Sequence, residues 1–155
     1  MKSLAVQIHA MRKRWPGFDL VHGFESDSVI WFGNLVGLER PFRVSVEYGL
    51  PTGPESPMFR LMPVVRVISP KLVLNFDAED EAPLPHVFFD KEDIVHSPLC
   101  LFDPAEGQWN KKMLIAHTTI PWAVDWLACY ESWEATGRWY GGGRHADADE
   151  VRAHD

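Results

Sequence analysis

Cysteine is scarce in this chain, and several absences together remove whole classes of protein. Two cysteines, Cys100 and Cys129, in 155 residues cannot staple a small secreted fold, so they read as reduced thiols and place the chain in the cytoplasm. No Cys-x-x-Cys or similar paired-ligand spacing occurs, and neither a metal nor a cofactor is expected. No apolar run reaches the roughly 18 residues that would span a bilayer, so no membrane partner is expected. The short apolar stretch near the start is broken by Gln7, His9 and Arg12-Lys13-Arg14, with no cleavage-site pattern after it, which excludes a signal peptide. Positive charge is also in short supply. A net charge of −7 with one basic cluster argues against direct nucleic-acid binding, which needs clustered Lys and Arg.

Apolar residues, by contrast, make up 46% of the chain, enough for one domain to be stable without staples. Residues 1–140 are read as that domain and 141–155, polar and without a hydrophobic pattern, as a flexible tail. Leu4, Ile8, Met11 and Trp15 recur at helical spacing, with Lys2, Gln7, Arg12 and Lys13 off that stripe, Ser3 as the N-cap and Pro16-Gly17 as the stop. The three basic residues complement the helix dipole at its end, and the helix reads as one docked on its own sheet rather than on a membrane.

From residue 18 the period changes to two. Phe18 to Phe24 and Val29 to Phe32 predict a hairpin around Ser26-Asp27-Ser28. A break is expected at Gly33-Asn34 and Gly37, a third strand from Phe42 to Tyr48, and a fourth from Met62 to Ile68 beyond a loop rich in proline and glycine. Short connections make these four an antiparallel meander. Leu72 to Phe76 reads as a further strand, Asp77 to Glu81 as an acidic solvated loop, and Pro83 to Phe89 as a stiff apolar segment. Thr118 or Thr119 is expected to cap a second helix with Pro121 in its first turn. Ala123, Trp126, Leu127, Tyr130 and Trp133 or Glu134 form its buried stripe, Cys129 lies in the core, and Gly137 ends it.

The chemistry centres on Val95-His-Ser-Pro-Leu-Cys-Leu-Phe-Asp103. Pro98 disfavours helix before Cys100 and Asp103-Pro104 turns the chain after it, which puts the thiol on a loop that another molecule can reach. His96, His86 and Asp103 are near in sequence, and a Cys-His pair can tune a thiol or shuttle its proton. The bland alternatives are a buried thiol between Leu99 and Leu101, a solvated His96 and a His86 that only fixes its loop. A zinc site from His86, His96, Cys100 and Cys129 would lack paired spacing, and Pro98 keeps His96 and Cys100 off one helical face.

The order of these parts resembles the ubiquitin-conjugating enzyme (UBC-like) fold, an α+β architecture with an N-terminal helix, a four-stranded antiparallel meander, an active-site loop and a C-terminal helix. Cys100-Leu101, Trp109 and Thr119-Ile120 stand where that family has its catalytic Cys-Leu, a following Trp and a Thr-Ile before the next helix. The Gly-Leu-Pro-Thr-Gly-Pro loop from Gly49 is similar to its proline-rich region. Leu99-Cys100-Leu101 and the Trp-Leu-x-x-Tyr-x-x-Trp-x-x-Thr-Gly-x-Trp pattern of residues 126–139 are similar to the bacterial conjugating-enzyme-like proteins of antiphage CBASS operons. With no room for an activating domain, the chain looks like the short type II form.

The resemblance implies a thioester between Cys100 and the C-terminus of a partner, the operon's cGAS-like nucleotidyltransferase, with Pro98, Leu99, Leu101 and Trp109 forming a groove for its tail. His86 and His96 are the histidines carried over as catalytic candidates. One departure stands out: where the eukaryotic family has His-Pro-Asn, this chain reads Pro85-His86-Val87-Phe88 with four extra residues before Cys100. Lysine-directed isopeptide transfer is thereby left without its supporting Asn, whereas a thioester needs only an accessible thiolate and an activated acyl donor. Two other functions fit the same residues: an inactive binding module of this fold, and a Cys-His thiol hydrolase, for which no oxyanion-hole motif is visible.

Overall fold

The computed structural model describes residues 2–22, 28–49, 62–76, 83–103 and 106–141. The loop at 50–57, the acidic run 77–81, the turn at Pro104 and the tail from residue 142 lie outside them. Among the described residues the chain runs α1 (Leu4–Arg14), β1 (Asp19–His22), β2 (Ser28–Val36), β3 (Pro41–Gly49), β4 (Val64–Ser69) and α2 (Thr119–Thr136), with 3-10 turns at Ile94–His96 and Ile115–His117. The strands form one antiparallel sheet in the order β1-β2-β3-β4. The α+β arrangement expected from the change of hydrophobic period is therefore present.

Helix α1 begins as expected, with the Ser3 hydroxyl accepting from Val6 N, and its last turn carries Arg12, Lys13 and Arg14. Gln7 departs from its expected place on the polar side, for its side chain is 0% exposed. Its Nε2 donates to Met113 O at 2.9 Å and its Oε1 accepts from Ile115 N at 3.0 Å. A buried amide that pairs with two backbone groups ties α1 to the turn at Ile115–His117, and Trp15 Nε1 adds a bond to Ala116 O at 2.8 Å.

The sheet presents Val29, Trp31, Leu35, Phe42, Val44, Val46, Tyr48, Val65 and Val67 to the core, the alternation that period-two sequences produce. The expected break at Gly33-Asn34 does not occur, and β2 runs straight through it. A Cβ at Gly33 would lie 2.6 Å from the Phe18 ring, so the glycine makes room for that ring and does not turn the chain. Gly37 does mark the reversal. A Cβ there would overlap the backbone of Leu127 and Ala128, so its absence lets the β2–β3 hairpin lie directly on α2.

Five of the residues expected on the stripe of α2, Ala123, Trp126, Leu127, Tyr130 and Trp133, are buried, whereas Glu134 faces outward to Arg40. Gly137 closes the helix at φ 76°. Thr118 occupies the N-cap position as expected but makes no side-chain cap, since its hydroxyl donates to Leu114 O at 2.8 Å, and the Thr119 hydroxyl is buried without a partner. Cys129 lies mid-helix but is only half-buried and is not part of the core. Leu72 to Phe76 forms no strand: Val73 N donates to Tyr130 Oη at 2.7 Å and Asn75 N to Pro83 O at 2.9 Å.

Candidate functional site

The Cys100 segment is built as a short continuation of the sheet. Leu99 N donates to Val65 O of β4 at 2.8 Å, and on its other side Leu99 bridges Val87, with Phe88 N bonded to Pro98 O at 2.8 Å and Cys100 N to His86 O at 2.9 Å. Pro98 supplies its carbonyl to this pairing and, lacking an N–H, leaves no donor unpaired. The side chains of Leu99, Leu101 and Phe102 are buried and fasten the segment to the core, while Cys100 between them is only partly buried. The turn before it is held by Ser97, whose N bonds to Ile94 O and whose hydroxyl accepts from Asp90 N at 3.1 Å.

The thiol points to Phe102 O, with Sγ at 3.6 Å. Burial pushes its pKa up to about 11, the negative charge of Asp103 pushes the same way, and the contact with Phe102 only partly opposes them. Near neutral pH the sulfur is therefore almost wholly a thiol. The expected histidines take different places. His96 lies on the 3-10 turn with Nδ1 at 2.9 Å from the Asp93 carboxylate. His86 touches the site through its backbone: its carbonyl accepts both Cys100 N and, at 2.8 Å, Trp126 Nε1.

Of the residues expected to line a groove, Pro98 and Leu99 border a small apolar pocket with Met62, Pro63, Val64, Phe88 and Phe102, and Cys100 does not line it. Leu101 and Trp109 sit instead beneath the site, 2% and 7% exposed. Trp109 stacks on Phe102 and donates through Nε1 to Thr118 Oγ1 at 3.3 Å. Their apolar size wins them core positions, so they support the loop from below. Phe88, Met62 and Trp126 were not singled out as site residues, and of the three only Trp126 was hinted at, by the aromatic pattern of residues 126–139. Among the described residues no three His, Cys, Asp or Glu side chains gather to hold a metal ion, and no helix is long and apolar enough to cross a membrane.

The order of helix, four-stranded antiparallel sheet, cysteine-bearing segment and C-terminal helix makes this an α+β domain in which the Cys100 segment is bonded to β4 on one side and to residues 86–88 on the other. The family model for the Type II CBASS E2 protein matches residues 7–146, and the chain belongs to that family. It is thus an E2-like component of a CBASS system. No individual curated protein matches it.

Proposed function

We propose that the chain is a conjugating-type transferase whose Cys100 carries an acyl group as a thioester, taken from the C-terminal carboxyl of the cGAS-like cyclic-nucleotide synthase of its operon, and that this controls the synthase in antiphage defence. The observation that carries the reading is the setting of the thiol: partly buried, between two buried leucines, on a segment whose backbone is bonded on both sides, next to a small apolar pocket bordered by Pro98 and Leu99. In the step itself the thiolate attacks the carbonyl carbon of an activated carboxyl group. The C–S bond forms, the bond to the activating group breaks, and that group leaves with its electron pair while the thiol proton passes to water or to His96. The absence of the His-Pro-Asn asparagine from the segment at Pro85-His86-Val87-Phe88 favours a chemistry that ends at the thioester.

The high pKa suits a carrier. A basic thiol is a strong nucleophile once deprotonated but a poor leaving group, so its thioester outlasts one formed on an acidic thiol. A second reading, a binding module without chemistry, is favoured by the same protonated thiol and by His96 being engaged with Asp93. Co-expression with the synthase and intact-mass measurement separates the two. The wild-type chain should gain the mass of the partner less one water, cleavable by hydroxylamine. Cys100→Ser should give a hydroxylamine-resistant ester or nothing, and Cys100→Ala only non-covalent binding. Equal capture of the partner by wild type and Cys100→Ala, with no adduct and with equal protection of cells, would establish the binding module instead.

A further inference from the structure

Residues 138–141 follow α2 back along its flank, and Trp139 is the one among them turned into the molecule. Its ring stacks on His86, with centroids 4.7 Å apart and planes 25° from parallel, and meets Trp126 edge-on at 5.3 Å. These distances lie in the range where aromatic pairs attract. Gly141 closes the strap over Cys129 so tightly that a Cβ would overlap Sγ and come within 2.9 Å of Trp139 Nε1. The residue under this stack has an unusual backbone. His86 holds φ at 54°, a left-handed conformation that histidine visits more readily than most side chains but that still needs support from its surroundings.

We propose that Trp139 is a positioning residue for Cys100. Its indole clamps His86 in the left-handed conformation, and the His86 carbonyl, gripped also by Trp126 Nε1, receives the Cys100 N–H and fixes the direction of the thiol. The proposal rests on the thioester reading of Cys100 for its meaning in catalysis, but its physical content is measurable without the partner. A packing role alone would change stability. A positioning role changes the cysteine.

The test uses the full chain carrying Trp139→Leu, which keeps apolar cover but removes the stacked ring, and Trp139→Phe, which keeps a ring and deletes an indole N–H that has no hydrogen-bond partner. In Trp139→Leu the Cys100 amide should exchange with solvent about two- to tenfold faster, the factor an aromatic pair is worth. Iodoacetamide should label Cys100 faster while adduct formation with the synthase slows, because the thiol becomes freer and less well aimed. Trp139→Phe should restore both. Exchange and labelling unchanged in Trp139→Leu, or no recovery in Trp139→Phe, would overturn the clamp. Should Trp139→Leu unfold, the milder Trp139→Met, which also lacks the stacked ring, carries the same readouts, and exchange and labelling unchanged there overturn the clamp. A wild-type chain that forms no adduct defeats the thioester reading and leaves the exchange and labelling results to decide the clamp.

Discussion

The reactivity of Cys100 is set by two unfavourable neighbours, low dielectric and a carboxylate. Burial disfavours the thiolate first and Asp103 adds repulsion, which together hold the pKa near 11. Alkylation of Cys100 should consequently keep rising with pH well beyond 9, where an ordinary thiol levels off. Asp103→Asn removes the charge while keeping the shape, and should shift the profile to lower pH and speed labelling at pH 8 several-fold. An unchanged profile in Asp103→Asn would mean that burial alone sets the value. His96→Ala is the companion measurement: with its Nδ1 on Asp93, it should slow adduct formation only if the imidazole relays the thiol proton, and it should leave labelling by small reagents close to wild type.

At the scale of elements, α2 organises the fold from both faces. Inward, Trp126 and Tyr130 stack with planes 4° apart and Phe42 of β3 meets Tyr130 edge-on. Outward, Glu131 receives the β2–β3 turn: Leu38 N, Glu39 N and Arg40 N all donate to its carboxylate, and Arg40 Nε adds an ion pair at 3.4 Å. Burial would raise the Glu131 carboxyl, but the backbone donors of Arg40, Leu38 and Glu39 outweigh it and hold the pKa below the usual glutamate value. Its side chain is only 8% exposed, so these bonds are not competing freely with water. Glu131→Gln keeps one acceptor and loses the charge, and should cost about 1–3 kcal/mol in urea unfolding. Gly37→Ala, which forces a methyl into the helix backbone, should cost a similar amount for a different reason, overpacking. Additive losses in the double variant would contradict the picture of one shared hairpin–helix contact.

For the molecule as a whole, stability should have a bounded pH window whose edges come from different elements. Cys100 and Tyr130, the latter raised to about 12 chiefly by burial, hold their protons more tightly folded than unfolded. Between the ordinary and the folded values the native state binds more protons, so stability is lost as pH rises from about 9 toward 11 and beyond. Glu131 acts in the opposite sense: its stabilisation is complete above the unfolded carboxylate pKa and is lost as pH falls through its lowered folded value. Thermal unfolding followed from pH 3 to pH 11 should show both flanks. Cys100→Ala should flatten the alkaline one and Glu131→Gln the acidic one. An alkaline flank unchanged in Cys100→Ala would assign it to Tyr130, Tyr48 and Cys129, whose pKa values burial also raises.

Local pattern by itself determined the two helices and the four-strand meander, because period and turn chemistry act over a few residues and survive in any packing, whereas the loop expected at Cys100 is a sheet-bonded segment with buried neighbours. The stripe of α2, the Ser3 cap and the Gly137 stop were legible for that reason. Other features depended on what a residue meets across the fold. Gly33 looked like a break until Phe18 was found over it, and Gln7 looked like surface until two backbone groups distant in sequence claimed its amide. Leu72 to Phe76 carried a strand pattern but found a tyrosine hydroxyl where a strand partner was expected. The site divides in the same way. The Cys-Leu pair is written in sequence, whereas the carbonyl of His86 that aims it, the tryptophans that hold His86, and the burial that raises the thiol pKa exist only once distant segments pack. Hydrogen-bond direction and desolvation are properties of that packed environment, and no run of residues encodes them alone.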